Sequence, residues 1–378
     1  MAEYTPLVEK LIDAHGTKLP PRPRTADLSI ASGSTDPAFA ESIAQELGVE
    51  VVETERRKFS DGELFVRFGE SLRETDVFLI QSHCSHSTEY EEWSPNDAIQ
   101  EHILMTDAAI GASATHTTVV APYFGYSRQD KKDDGRVPIA ARRVVRQFLG
   151  AGAERLISMD LHAPQIQGFT NNEPFENLFA SNVLLEPIKK WAEEKGPDNV
   201  VVVAPDDGRS KLNRYYQSEL NKYFSQKFSK DNYQGVTFAV IGKDRAPDSS
   251  GVKALHMAGN VATKHCVVID DMIDTAKTLS ATGEALMEQG AESAIVAATH
   301  PVFSGQATTY LANSIFERII VTDTIPQSDK LVRPGESEGG KIPQLQIETV
   351  TPLFAEVIWR IHHGQSVSAV FGSQRAEY

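Results

Sequence analysis

Short apolar runs, many of them β-branched, punctuate this chain at residues 28–31, 49–52, 77–81, 117–121, 156–159, 200–204, 238–241, 267–269, 294–298 and 319–321. Runs this short read as strands buried on both faces, as strands are in parallel sheets covered by helices. Helical patterns lie between them. One spans 37–47, with Pro37 suited to the first helical position and Gly48 to its end. Others span 97–111, start at Pro138, span 184–194, run through Tyr223, lead to Gly290 and span 352–363. Within RRKFSDGELFVRF, Asp61-Gly62 is a two-residue hairpin signal. The alternation predicts an α/β fold of two similar domains, each a mainly parallel sheet flanked by helices, with a hairpin in the first.

At 378 residues the chain is too long for one typical core, which agrees with two domains. Residues 1–25, with the cluster PPRP, read as an N-terminal arm. Residues 26–178 then form the first domain, joined by a C-terminal helix within 349–378, and 179–348 the second. The segment GKDRAPDSSGVKALHMAGN at 242–260 reads as a long mobile loop of the kind that serves as a lid, and 328–343 as a second flexible stretch. The strings VVAPYFGYSR at 119–128 and VVAPDDGRSK at 202–211 echo each other, which is modest support for a duplication.

Charge and cysteine content narrow the function. With 37 basic against 52 acidic residues the net charge is −15, which argues against non-specific nucleic-acid binding. Cys84 and Cys266 are too few for a disulfide framework or a cysteine-rich zinc site. MAEYTPLVEK has no leader pattern, and no apolar run of about 18 residues occurs. A soluble cytoplasmic protein is expected, with neither nucleic acid nor membrane as partner.

The chemistry concentrates at strand ends. In VVIDDMIDTAKT, residues 267–278, a buried strand delivers Asp270 and Asp271 to the place where open α/β sheets bind ligands. Asp274, Thr275 and Thr278 are expected to cap the following helix, whose N-terminus is an anion site. Read alone, this is also what an ordinary strand-to-helix turn with solvated aspartates looks like. Similar groups follow other strands: FSDGE, SRQDKK, DLHA, APDDG and GKDR. A lone Lys-Asp-Arg in a loop is more often solvated charge than machinery, and Asp206 before Gly208 is as readily a turn former as a ligand. Asp130, Lys131 and Lys132 read as solvated.

Taken in order, FSDGE (59–63), PYFGYSRQDKK (122–132), DLHAPQIQGF (160–169), DDMIDT (270–275) and ATHPVFSG (298–305) make the chain resemble the ribose-phosphate pyrophosphokinases of class I type, also called phosphoribosyl pyrophosphate synthetases, over residues 28–371. The resemblance implies two phosphoribosyltransferase-like domains, the first on the ATP side and the second on the ribose 5-phosphate side. It implies transfer of the β,γ-diphosphoryl group of Mg-ATP to the anomeric hydroxyl of ribose 5-phosphate. By the same resemblance Phe59, Asp61, Gly62, Glu63, Arg128 and Gln129 bind ATP. Asp270, Asp271, Asp274, Thr275, Ala276, Lys277, Thr278 and Arg245 bind the sugar phosphate. Lys243 and Arg245 are the catalytic cations, and His162 and Asp206 are Mg2+ ligands, although a histidine is unexpected on so hard an ion. A homo-oligomer follows as well, with a hexamer as one form.

Ala276 and Lys277 depart from the family, which usually has small residues there, often two glycines. A lysine forced to positive φ costs about 1 kcal/mol. Either the site is retuned, which the surviving motifs favour, or the loop is damaged. Two other functions share parts of the pattern: a regulatory homologue of the synthetase, and a phosphoribosyltransferase that consumes its product.

Overall fold

The structure, a computed structural model, describes residues 26–87, 92–228, 233–245, 252–332 and 340–371; the expected arm at 1–25 lies outside them. In chain order the elements are β1 Asp27–Ser32, α1 Pro37–Leu47, β2 Val51–Val52, β3 Thr54–Lys58, β4 Leu64–Phe68, β5 Thr75–Ile80, β6 His86–Ser87, β7 Glu92–Trp93, α2 Pro95–Gly111 and β8 His116–Ala121. There follow α3 Ala140–Gly150, β9 Arg155–Met159, β10 Phe175–Leu178, α4 Ser181–Lys195, β11 Val200–Ala204, α5 Ser210–Lys227, β12 Thr237–Arg245, β13 Val252–Ala258 and β14 His265–Ile273. The last are α6 Lys277–Glu288, β15 Ser293–Pro301, α7 Ala307–Ala312, β16 Ile319–Thr322, β17 Leu345–Glu348, α8 Thr351–His362 and α9 Ser368–Phe371.

Two compact units result. The first holds 26–179, Thr324–Pro326 and 350–371; the second holds Ala180–Asp323 and Gln327–Thr349. In the first, a parallel sheet runs β10-β9-β8-β5-β1-β2, and β3 and β4 pair separately as an antiparallel hairpin. In the second, the order is β13-β12-β11-β14-β15-β16-β17, parallel except for β13. This is the α/β architecture of parallel sheets flanked by helices that the sequence pattern predicts. Val200, Val201, Val202 and Val203 of β11 have no exposure, and burying each contributes about 1.5–3 kcal/mol. Among the described residues, no helix is long and apolar enough to cross a membrane.

Leaving out β13, the strand orders of the two units match step for step: β2-β1-β5-β8-β9-β10 against β12-β11-β14-β15-β16-β17. The duplication is in the topology, but the sequence echo does not trace it. That echo pairs the strand ends of β8 and β11, whereas β8 corresponds to β15 and β11 to β1.

Several boundaries differ from the sequence reading. The hairpin loop is residues 59–63, not two residues, because Lys58 pairs with Leu64 and the Phe59 N–H closes on the Glu63 carbonyl at 2.7 Å. Of the segment at 242–260, expected as a long loop, residues 246–251 lie outside the described ones and most of the rest is strand. Residues 242–245 and 252–258 extend an antiparallel ladder in which Lys243 faces Leu255, with a bulge at Asp244 and Arg245. β14 continues to Ile273, so Asp270 and Asp271 lie within the strand, with Asp270 in register with Ala298. α3 begins at Ala140, two residues beyond Pro138.

Candidate active site

In each unit the strand order reverses between the first and third strands, and the crevice outside their carboxyl ends is where such sheets take ligands. In the second unit the switch lies between β11 and β14. β11 ends at Ala204 and delivers Asp206, whose side chain accepts the Arg209 N–H at 3.2 Å, capping a short 3-10 turn. From that turn the Arg209 side chain reaches β14. Its Nε lies 2.9 Å from Asp270 Oδ1, and its Nη2 2.7 Å from Asp271 Oδ1. Asp271 is 6% exposed at its side chain, Asp270 29% and Arg209 19%. Burial and the adjacent Asp271 push the Asp270 carboxyl well above the usual carboxylate range, against the pull of Arg209. The neighbouring carboxylates, Asp271 first, raise the guanidinium above its ordinary value in spite of burial.

β14 runs into the turn expected to bind a sugar phosphate. None of Asp274, Thr275 and Thr278, from which a cap was expected, is the N-cap residue of α6. The N-cap of α6 is Ala276, at φ +60° and ψ −3°, whose methyl offers the helix no hydrogen bond. The left-handed position therefore falls on the alanine, and Lys277 is the first residue of regular helix. The Ala276 methyl is buried in the core with Ile273, Leu279 and Phe303, while Thr275, Lys277 and Thr278 are exposed and Asp274 half-buried. The loop after β15 holds the turn from behind: Phe303 N–H donates to the Ile273 carbonyl at 3.0 Å and Ser304 N–H to that of Asp274 at 3.1 Å.

In the first unit, the loop after β8 carries exposed Arg128 and Gln129 beside Tyr126, whose φ is +60° and whose hydroxyl donates to Asn96 Oδ1 at 2.6 Å. Asp130 is buried, not solvated, and accepts a hydrogen bond from Gln165 Nε2. That bond ties this loop to the one after β9, where His162 is half-buried and Asp160 has φ +37°. Arg128, Gln129 and His162 are thus drawn to one end of the first sheet. A buried chain of groups anchors the same loop: Gly125 N–H donates to His83 Nδ1 at 3.2 Å, His83 Nε2 lies 3.1 Å from His102 Nδ1, and His102 Nε2 3.0 Å from the Leu79 carbonyl.

Phe59, Asp61, Gly62 and Glu63 sit on the hairpin loop, exposed, with Gly62 at φ +93°. Phe59 is 43% exposed and meets Phe65 edge to face, with the Arg57 guanidinium over both rings. Lys243 and Arg245 lie near and at the end of β12, on the backbone ladder already given. The corresponding crevice of the first unit is filled by its own side chains. Gln81 Oε1 accepts the Thr35 N–H at 3.0 Å, its amide nitrogen bonds Glu101, and Glu101 Oε2 also takes the Ser34 N–H and hydroxyl at 3.0 and 2.7 Å. Burial raises the Glu101 carboxyl above its usual range, with Ser34 and Arg56 pulling it back.

Aspartate oxygens are the right donors for a hard divalent cation. In the second unit, however, Arg209 already joins two of them, and among the described residues no group of three or more His, Cys, Asp or Glu is set to hold a metal. A resident metal does not fit this arrangement.

Sequence reasoning missed Arg209, Gln165, Glu101 and the two histidines. Only the APDDGR string hinted at the first.

Comparisons agree with these two sheets. The pattern of the N-terminal domain of ribose phosphate pyrophosphokinase matches residues 28–152, and that of the phosphoribosyl synthetase-associated domain residues 239–372. A ribose-phosphate pyrophosphokinase of Caldanaerobacter subterraneus subsp. tengcongensis is 38% identical over 347 residues, 92% of this chain and 98% of that one. One from Shewanella oneidensis is 39% identical, covering 91% and 99%. The crystal structure of phosphoribosylpyrophosphate synthetase from Mycobacterium smegmatis superposes with a TM-score of 0.75 at 34% identity, covering 89% of this chain and 99% of that one. At that identity, over so much of both chains, the protein belongs to the ribose-phosphate pyrophosphokinase family of transferases.

Proposed function

We propose that the chain transfers the β,γ-diphosphoryl group of Mg-ATP to the 1-hydroxyl of ribose 5-phosphate, forming phosphoribosyl pyrophosphate and AMP for nucleotide biosynthesis. The observation that carries this reading is the end of β14: an acidic pair at a switch point, then left-handed Ala276 opening a helix, with a methyl where a capping side chain would otherwise stand. Carboxylates accept from sugar hydroxyls, and backbone amides at a helix start donate to a phosphate. Asp270, Asp271 and Asp274 take the hydroxyls; Thr275, Ala276, Lys277 and Thr278 take the 5-phosphate.

The first unit is the ATP side. Phe59 stacks on the base, Asp61, Gly62 and Glu63 offer acceptors to its amino group, and Arg128 and Gln129 hold phosphate oxygens. The second is the ribose 5-phosphate side, with Lys243 and Arg245 as the cations that stabilise charge on the migrating group, Arg245 also touching the sugar phosphate. Magnesium enters with the nucleotide, and His162 and Asp206 are its expected contacts. The enzyme works in the cytoplasm as a homo-oligomer.

The test is AMP formation by purified protein from ATP and magnesium, with and without ribose 5-phosphate. AMP that appears only with the sugar supports the reading. A protein inert under these conditions that instead alters the rate of an active synthetase is the regulatory homologue.

A further inference from the structure

We propose that Arg209 is the resident cation of the sugar crevice. Its guanidinium occupies the place between Asp270 and Asp271 that a divalent ion would otherwise take, and so makes the acidic pair a hydroxyl acceptor instead of a metal site. The assignment of that pair to the sugar rests on the function proposed above.

Two different nitrogens of one rigid fork engage two different carboxylates, at 2.9 and 2.7 Å. The placement is held from the backbone too. Asp206 accepts the Arg209 N–H, and the buried Asn213 amide donates both to the Arg209 carbonyl at 3.0 Å and to the Ile269 carbonyl of β14 at 2.8 Å. Asn213 thus braces the turn after β11 against the strand that carries the acids. The pair is bonded to itself as well, Asp271 N–H donating to Asp270 Oδ1 at 2.9 Å. A guanidinium keeps its charge at every working pH, so Arg209 offsets one unit of negative charge in the acidic pair. That lowers the repulsion toward an anionic sugar phosphate and leaves Asp270, the more open carboxylate, to meet a hydroxyl.

Removing the cation leaves two adjacent carboxylates with oxygen donors suited to a divalent ion. The probe is Mn2+ alone, counted by the electron paramagnetic resonance signal of the free ion, on the full-length protein without nucleotide or sugar. Arg209→Met is expected to bind about one Mn2+ more per chain than the wild type, at least about tenfold tighter than any ion the wild type holds there. The extra ion should vanish in Arg209→Met/Asp271→Asn, and Arg209→Lys, which keeps the charge, should not gain it. Should Arg209→Met fail to fold, Asp271→Asn in the wild-type background decides the matter. With Arg209 as the cation it leaves the Mn2+ count unchanged.

Equal Mn2+ binding by wild type and folded Arg209→Met overturns the inference, as does a Mn2+ lost from the wild type on Asp271→Asn. These counts do not depend on turnover. Failure of the AMP assay with the counts as expected removes the proposed reaction and leaves Arg209 as the cation of the crevice; the reverse pair of results does the opposite.

Discussion

Replacing His102 with glutamine should make the first unit less sensitive to acid. The Leu79 carbonyl can only accept, so His102 Nε2 carries the proton and its bare Nδ1 accepts from His83 Nε2–H; the bare His83 Nδ1 then takes the Gly125 N–H. Both rings are neutral in this chain, and both are fully buried, with Phe148 stacked on His83 and edge-on to His102. Burial pushes His83 well below the usual histidine value and His102 down to about 3. The sign follows: the folded state refuses protons that the unfolded state takes up below pH 6.5, so stability is full above that pH and falls as pH drops toward 3. For His102 the loss is about 1.4 kcal/mol per pH unit, or about 2 kcal/mol at pH 5, a large part of a typical ~5–15 kcal/mol. His83 adds in the same direction. Glutamine can donate to Leu79 and accept from His83 without titrating, at a cost near pH 7 of about 1 kcal/mol in lost ring contact. Urea unfolding, read by hydrogen exchange on peptides of β5 and β8, isolates this unit. Between pH 7 and 5, His102→Gln should lose about 2 kcal/mol less than the wild type. Identical pH dependence in the two proteins refutes the neutral-chain argument.

Ala276→Gly should leave the melting temperature within about 2 °C, because relief of about 1 kcal/mol of left-handed strain is offset by about 0.8 kcal/mol of lost methyl burial; differential scanning calorimetry checks it. Phe59→Ala, at an exposed ring, should leave the melting temperature unchanged and raise the KM for ATP about three- to tenfold. Lys243→Ala should lower kcat by about a hundredfold or more with little change in nucleotide affinity measured by equilibrium binding; equal losses in both would remove its transition-state role.

Local signals carried the sequence reading where structure was local. α1 begins and ends where Pro37 and Gly48 put it, helped by Asp36, which accepts the Phe39 N–H, and by Gly48 at φ +71°. β11 is five buried residues in a row and could be little else. β10 and β17, FENL and LQIE, were missed because four residues carry too little period, and their strand character comes from the parallel neighbour each adds to. The β12–β13 ladder was missed because Pro247, Ser249, Ser250 and Gly251 dominate the reading of the whole segment, while the ladder is set by cross-strand pairs on either side of them. The pairing of Arg209 was missed for a different reason. Its carboxylate partners are some sixty residues away in sequence, and only the strand order that sets β11 beside β14 brings them together.

The equivalence of β8 and β15 locates what the short echo did not. After β8 the chain reads PYFG, and from the last residue of β15 it reads PVFSG, with Phe124 and Phe303 both buried. In each unit this turn bonds back onto the loop after the neighbouring strand: Gly125 N–H to the His83 ring beyond β5, and Phe303 and Ser304 N–H groups to the Ile273 and Asp274 carbonyls at the end of β14. One frame, a fourth-strand turn bracing a third-strand loop, is therefore used twice, with different chemistry mounted on it. In the first unit the braced group is a neutral imidazole, and the crevice beside it is closed by Gln81 and Glu101; a Cβ on Gly33 would come within 2.3 Å of the Gln81 side chain. In the second, the braced loop carries Asp274 and leads into α6, and the crevice holds two carboxylates on one arginine. Because backbone bonds from Phe303 and Ser304 fix that loop, altering the charge at Arg209 should change what the crevice binds without moving the turn proposed to receive the phosphate.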